Sequence, residues 1–206
     1  MEGLYLIISA LIGAFATIAS VLISKRNKKS SKDPILSETQ NNQNIYSALE
    51  YVMEEMGSDR AYVLQFHNGG YYISGRSQQK FSCTHEICSP GISRECDNSQ
   101  NHVISNFHQY INELTQKGQY SYLDCENVPD KLFAALMKNK GIQSVYNVPI
   151  KTLSGNILGI LGVDYIKECA DKSKKGFCSI EQKESFSEET RKFMRSQARV
   201  ISGYLV

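Results

Sequence analysis

Residues Ile142–Thr152 (IQSVYNVPIKT) and Ile157–Ile166 (ILGILGVDYI) flank the polar stretch Leu153-Ser154-Gly155-Asn156. Two apolar, β-branched runs around a short Gly-containing turn predict an antiparallel hairpin. Gly159 and Gly162 inside the second run predict close approach of another backbone or a covering helix. Asp164 lies among apolar neighbours, so its carboxylate must either face solvent or find a partner beneath the sheet.

Upstream of this hairpin, Pro129 and Asp130 open a predicted helix with Leu132, Phe133, Leu136 and Met137 as its buried stripe, ended by Gly141. Tyr120–Cys125 is a short strand candidate. His102–Leu114 has helical spacing of Val103, Phe107, Ile111 and Leu114, and Cys88–Asn101 reads as loop. Lys80–Ile87 and Ala61–His67 (AYVLQFH) are strand candidates, the latter broken by Asn68-Gly69-Gly70. A capping box at Ser37–Gln40 starts an amphipathic helix, from about Glu38 to Met56, that carries Ile45, Leu49, Val52, Met53 and Met56 on one face. Downstream, Ser187 caps a last helix with Phe193, Val200, Ile201, Tyr204 and Leu205 as its apolar side. The order of helix, two strands, helix, strand, helix, two strands, helix is an α+β pattern with helices packed on an antiparallel sheet.

The N-terminal region is different in kind. Gly3–Ser24 (GLYLIISALIGAFATIASVLIS) is 22 residues without a charge. As a helix it would be about 33 Å long, enough for a hydrocarbon core of roughly 30 Å. It lacks the basic start of a signal peptide. Lys25, Arg26, Lys28, Lys29 and Lys32 follow it directly, which predicts a single-pass transmembrane helix with the N-terminus outside and the remainder cytoplasmic. The expected organisation is a transmembrane helix over 3–24, a basic juxtamembrane linker over 25–36, and a folded cytoplasmic domain over 37–206. The absence of any N-x-S/T sequon agrees with a domain that is not exported.

Charge divides the same way. The whole chain of 206 residues has 23 basic and 21 acidic side chains, net +2. Residues 1–33 hold five basic and two acidic, and residues 34–206 hold 18 and 19. A slightly acidic folded domain argues against nucleic acid as a partner. The lipid bilayer is the expected partner of the N-terminal segment. Kinase, hydrolase and metalloprotease readings lack their P-loop, elbow and His-Glu-x-x-His signatures.

The stretch Gly141–Ile150, with Val148-Pro149-Ile150 at its end, and Ser154–Val163 resemble the paired late strands of a GAF domain. The opening helix, Arg60–His67 as first strand, and the closing helix fit the same order, so the resemblance covers about Glu38–Val206. It implies a sheet of about six antiparallel strands, the first and last helices together on one face, and a ligand-sized pocket under loops on the other. GAF domains sense small molecules (cyclic nucleotides, tetrapyrroles, haem, amino acids) or dimerise. Neither the Asn-Lys-x-Phe-Asp-Glu run of cyclic-nucleotide members nor a cysteine in a bilin-type context is present, so the resemblance assigns no cofactor. The segments Phe66–Tyr72 and Lys80–Glu86 are also similar to small membrane-anchored GAF-like proteins of bacteria and phages.

Candidate ligand-binding residues are His67, Asn68, Tyr72, Phe81, Cys83 and His85. His67 and Asn68 place polar groups beside the bare backbone of Gly69 and Gly70. Tyr72 and Phe81 supply apolar cover. Cys83 and His85, two apart on a strand, are expected to share a face, with Glu86 on the other. Cys83, His85, Cys88 and Cys96 form a weaker metal alternative whose spacing departs from structural zinc sites. The favoured reading is a non-catalytic, membrane-anchored sensor or small-molecule-binding module, dimerised through its first and last helices. One alternative is a thiol-dependent reductase of the free methionine sulfoxide type, using Cys83, Cys88 and Cys96. Another is a ligand-free interaction or structural protein, such as a phage lysis or membrane-associated regulator.

Overall fold

The computed structural model describes Ile18, 33–166 and 186–206. The chain divides into two compact units, Met1–Gln40 and Asn41–Val206. The predicted transmembrane segment over 3–24 and the basic run of the linker lie outside the described residues, Ile18 excepted. Among the described residues, no helix is long and apolar enough to cross a membrane.

Helix α1 (Pro34–Met56), whose first residues belong to the first unit and the rest to the second, begins earlier than its sequence signal. The Asp33 carboxylate accepts from the Ile35 amide, and Pro34 occupies the first helical position, where its missing N–H costs nothing. Pro34 therefore opens the helix instead of closing a linker, and Ser37–Gln40 lies inside the first turns.

In the second unit, β1 (Arg60–Tyr71) and β2 (Ser77–Cys88) form a long hairpin. A two-residue strand β3 (His102–Val103), a 3-10 turn over Ile104–Phe107 and α2 (His108–Lys117) replace the single expected helix. Then come β4 (Tyr120–Tyr122), α3 (Lys131–Asn139), β5 (Ser144–Lys151), β6 (Ile157–Tyr165) and α4 (Glu188–Ser202). Ser187 caps α4 as expected, accepting from the Thr190 amide; Asp130 caps α3, accepting from the Leu132 and Phe133 amides, so Pro129 lies before the helix and not in its first turn. The six strands form one sheet in the order β3-β2-β1-β6-β5-β4, with antiparallel pairing throughout. The hairpin of β5 and β6 pairs Ser144 with Tyr165 through to Lys151 with Ile157.

The sheet separates two cores. On one face, Ile45, Leu49, Val52 and Met56 of α1 and Met194, Ala198 and Ile201 of α4 pack on Val63, Val148, Leu161 and Val163. The buried line of α4 thus runs through Met194 and Ala198, while Val200, expected inside, is 44% exposed. The other face carries Phe81, Phe107, Tyr110, Tyr120, Phe133 and Met137. Tyr110 stacks on Phe133 with ring centroids 4.1 Å apart, and Tyr120 meets Tyr110 edge-on at 4.7 Å. Leu132, expected in the α3 stripe, is exposed.

Gly159 and Gly162 have the close neighbours their positions implied. A Cβ on Gly159 would run into the Leu64 carbonyl of β1, and one on Gly162 into the Tyr62 ring and the Asn147 side chain.

Candidate functional site

The β1–β2 ladder slips by one residue between Val63 and Leu64: Val63 faces His85, Leu64 faces Cys83, and Thr84 is left over as a bulge. A bulge resets the alternation of side chains. Before it, Phe81 and Cys83 point to the aromatic face. After it, His85 turns to the helix face, where its Nε2 is 3.0 Å from Asn42 Oδ1 and its ring meets Tyr46 edge-on. Glu86 now lies on the same side as Cys83. The expectation that Cys83 and His85 share a face, with Glu86 opposite, is thereby corrected: strict two-residue periodicity holds only in an unbroken strand.

The hairpin removes three further candidates from the sheet face. Asn68-Gly69-Gly70 does not end β1 but continues it, with irregular register between Asn68 and Tyr71. The Asn68 side chain accepts from the Gly70 amide and the Ser77 hydroxyl, and the Lys80 stem covers Gly69. His67 Nε2 lies 2.9 Å from Ser82 Oγ. Tyr72 is on the exposed hairpin end, with the Arg76 guanidinium 5.6 Å above its ring.

A cavity of about 50 Å³ lies on the aromatic face, bounded by β1, β2, β3, β6, α3 and the 89–101 segment. Of the six candidate residues, Phe81 and Cys83 line it. Its apolar wall also includes Leu64, Phe133, Leu136 and Met137. Tyr62, Ser99 and His102 add polar groups to the lining, and five charged residues, Arg60, Glu86, Asp164, Glu95 and Lys140, were largely unforeseen.

Arg60 is 1% exposed. Its Nη1 donates to Asp164 Oδ2 at 3.0 Å, its Nη2 to the Ser93 carbonyl at 2.8 Å, and its Nε lies 3.3 Å from Glu86 Oε1. The Glu86 carboxylate also accepts from the Glu95 and Cys96 amides at 2.9–3.0 Å, tying the 89–101 segment to the sheet. Every charge in this trio is met, as burial requires.

A polar chain continues under the sheet. Tyr62 Oη lies 3.0 Å from both Asp164 Oδ1 and Asn147 Oδ1, and Asn147 Nδ2 donates to Tyr110 Oη at 2.9 Å. One hydroxyl proton cannot serve two acceptors fully. If Asp164 is protonated, it donates to Tyr62, Tyr62 donates to Asn147, and the chain closes. Burial raises the Asp164 carboxyl from its ordinary 3.8 to about 6, while Arg60 and Tyr62 act to lower it; near neutral pH it is the carboxylate that Arg60 meets, and the closed chain belongs to mildly acidic pH.

Among the described cysteines, Cys83 and Cys88 are held as thiols. Burial pushes the Cys83 thiol well up, with a further rise from its contact with Cys96, and burial also raises Cys88. A protonated thiol is a poor nucleophile, which works against a reductase using these residues. Because Cys83 and His85 face opposite sides, Cys83, His85, Cys88 and Cys96 do not converge. Among the described residues, no group of three or more His, Cys, Asp or Glu is placed to hold a metal ion.

No protein-family model matches the chain, and no curated protein does. Solved structures do. The GAF domain of Thermosynechococcus elongatus PixJ, in its blue-light-absorbing form, is 16% identical with a TM-score of 0.58, over 82% of this chain and 88% of that one. The phycocyanobilin-bound GAF domain of a cyanobacterial phytochrome is 13% identical with a TM-score of 0.58, over 88% of each chain. A GAF domain/HD domain protein from Geobacter sulfurreducens is 9% identical with a TM-score of 0.55, over 80% and 91%. The chain therefore has a GAF-like fold.

The raised carboxyl gives a testable sign. Folded Asp164 titrates near 6, above its unfolded value near 3.9. Its contribution to stability is full below about pH 4 and is lost as pH rises through about 6. The unfolding free energy of the wild type minus that of Asp164→Asn, measured in urea, should fall between pH 4 and 6. A flat difference would contradict the assignment.

Proposed function

We propose that the chain is a non-catalytic GAF-like sensor module that binds a small molecule in the cavity under its aromatic face and is held at a membrane by residues 3–24. The observation that carries this reading is the cavity itself: an apolar wall with a few convergent polar groups, on the face of the sheet that the two long helices leave free. Support for the anchor comes from the uncharged 22-residue segment and the basic run that follows it. The same flank supports a cytoplasmic position for the folded domain.

The bilin named for the phytochrome neighbour does not fit this cavity. Pockets for ligands of that kind are commonly about 300–1,000 Å³. Here about 50 Å³ is open, room for about four waters or a ligand of a few non-hydrogen atoms. The ligand class is correspondingly small.

A ligand bound to the folded state raises its melting temperature by mass action. The full-length chain in detergent micelles should be stabilised by at least one member of a set of small amino acids, short organic acids, short amines and small inorganic ions. Leu136→Phe, which fills the cavity, should abolish the response. Equal responses in both proteins would place binding elsewhere, and no response at all would favour a ligand-free interaction module.

The module also pairs with itself through α1 and α4. Tyr46, Tyr51 and Val200 remain 36–48% exposed beside the buried stripes, and Tyr51 meets Phe193 edge-on across the two helices. A tether raises the effective concentration of such a face. Light scattering on the detergent-solubilised chain should give a dimer mass, reduced to that of a monomer by Tyr51→Glu with Val200→Glu. A monomeric wild type at high micromolar concentration would refute the pairing.

A further inference from the structure

The charged groups around the cavity are not equivalent. Arg60, Glu86 and Asp164 satisfy one another, Ser93 and Tyr62, and the amides of Glu95 and Cys96 complete Glu86. A ligand would gain little from groups already met, and would have to break buried ion pairs to reach them. Two cavity residues stand apart. Lys140, at the C-terminal end of α3, donates to Ser99 Oγ and makes no ion pair among the described residues, which leaves two of its three N–H donors uncommitted. His102 has its Nε2 buried with no hydrogen-bond partner. Its ring is fixed between Phe81 and Phe107, at centroid distances of 5.2 Å to each. A buried polar atom without a partner calls for one.

The two residues are close enough to influence one another. Burial lowers the His102 imidazole below its ordinary value, and Lys140 lowers it further. Burial likewise lowers Lys140, while Asp164 and Glu95 act to raise it. Burial and Lys140 both disfavour the imidazolium, so the site offers the Lys140 amine and a His102 ring nitrogen.

We propose that the ligand of this cavity is a small monocarboxylate, its head held by Lys140 Nζ and His102 Nε2 and its short hydrocarbon tail laid against Phe81, Phe133, Leu136 and Met137. This rests on the cavity being the binding site. Glu95, half-buried at the rim, accepts from Ser93 Oγ and Asn98 Nδ2, so Lys140 is the cation left for a ligand carboxylate; a phosphate dianion would bring a further charge close to Glu86, Asp164 and Glu95. An amine is repelled by Lys140 and finds both buried carboxylates already held by Arg60. The apolar wall selects a ligand with a tail over a bare inorganic anion, and the cavity volume limits that tail to a few carbons.

The test is a matched series on the full-length chain in detergent micelles: butyrate, butyramide, butylamine and inorganic phosphate, read by circular dichroism melting. Butyrate at ten times its Kd should raise the melting temperature by about 3–6 °C, with the other three producing no comparable rise. Lys140→Met keeps the length of the side chain and removes a buried charge. It should melt no lower than the wild type without ligand and lose the response to butyrate. If butyramide, butylamine or phosphate stabilises as much as butyrate, and Leu136→Phe abolishes that response, the cavity is the site but the carboxylate assignment is wrong. Persistence of the butyrate response in Lys140→Met would also overturn the assignment. If no member of this series or of the broader set stabilises the chain, the cavity reading fails and this inference falls with it.

Discussion

The buried guanidinium of Arg60 is the constraint around which the folded unit is organised. It sits at the start of β1, directly opposite Asp164 on β6, and reaches Glu86 on β2. One side chain therefore joins three adjacent strands, and through the Ser93 carbonyl it also holds the segment that walls the cavity. Removing three charges from water carries a penalty of several kcal/mol per ion. The fold tolerates it because Nη1 donates to Asp164, Nη2 donates to Ser93, Nε lies 3.3 Å from a Glu86 oxygen, and each carboxylate has further donors. An arrangement of this kind specifies register: a one-residue slip of β1 against β6 would carry Arg60 to the helix face, among Leu49, Val52 and Val163.

The same interaction links architecture to site. Arg60 neutralises the cavity floor so that the uncommitted groups, Lys140 and His102, are the ones left to act on a ligand. The Thr84 bulge is the second device. Without it Glu86 would lie on the helix side and Arg60 would lack its second carboxylate; with it His85 is withdrawn into the helix core against Asn42 and Tyr46. The sheet thus has an apolar face that carries the helices and a partly polar face that carries the cavity.

The fold was legible in the sequence where the pattern is local. The late hairpin, the cap at Ser187 and the glycines at 159 and 162 follow from turn chemistry, a side-chain acceptor and steric room. The short β3 was not legible, because two residues carry no periodicity. The site was legible in part: Phe81 and Cys83 lie on an alternating strand before the bulge, and Asp164 was conspicuous as a carboxylate in an apolar run. His85 was misplaced because a bulge leaves no mark in a single sequence. Arg60 and Lys140 were missed because a charge at a strand start or a helix end ordinarily faces solvent. Their roles depend on contacts between positions as far apart as 60 and 164, which only the assembled sheet brings together.

Arg60 is held as a charge by two buried carboxylates, and urea unfolding of three proteins tests this most directly. Arg60→Met alone leaves Glu86 and Asp164 buried and uncompensated and should cost about 3–5 kcal/mol. Arg60→Met combined with Glu86→Gln and Asp164→Asn removes the stranded charges and should recover most of that loss. A cost below about 1 kcal/mol for the single substitution, or no recovery in the triple variant, would contradict the account.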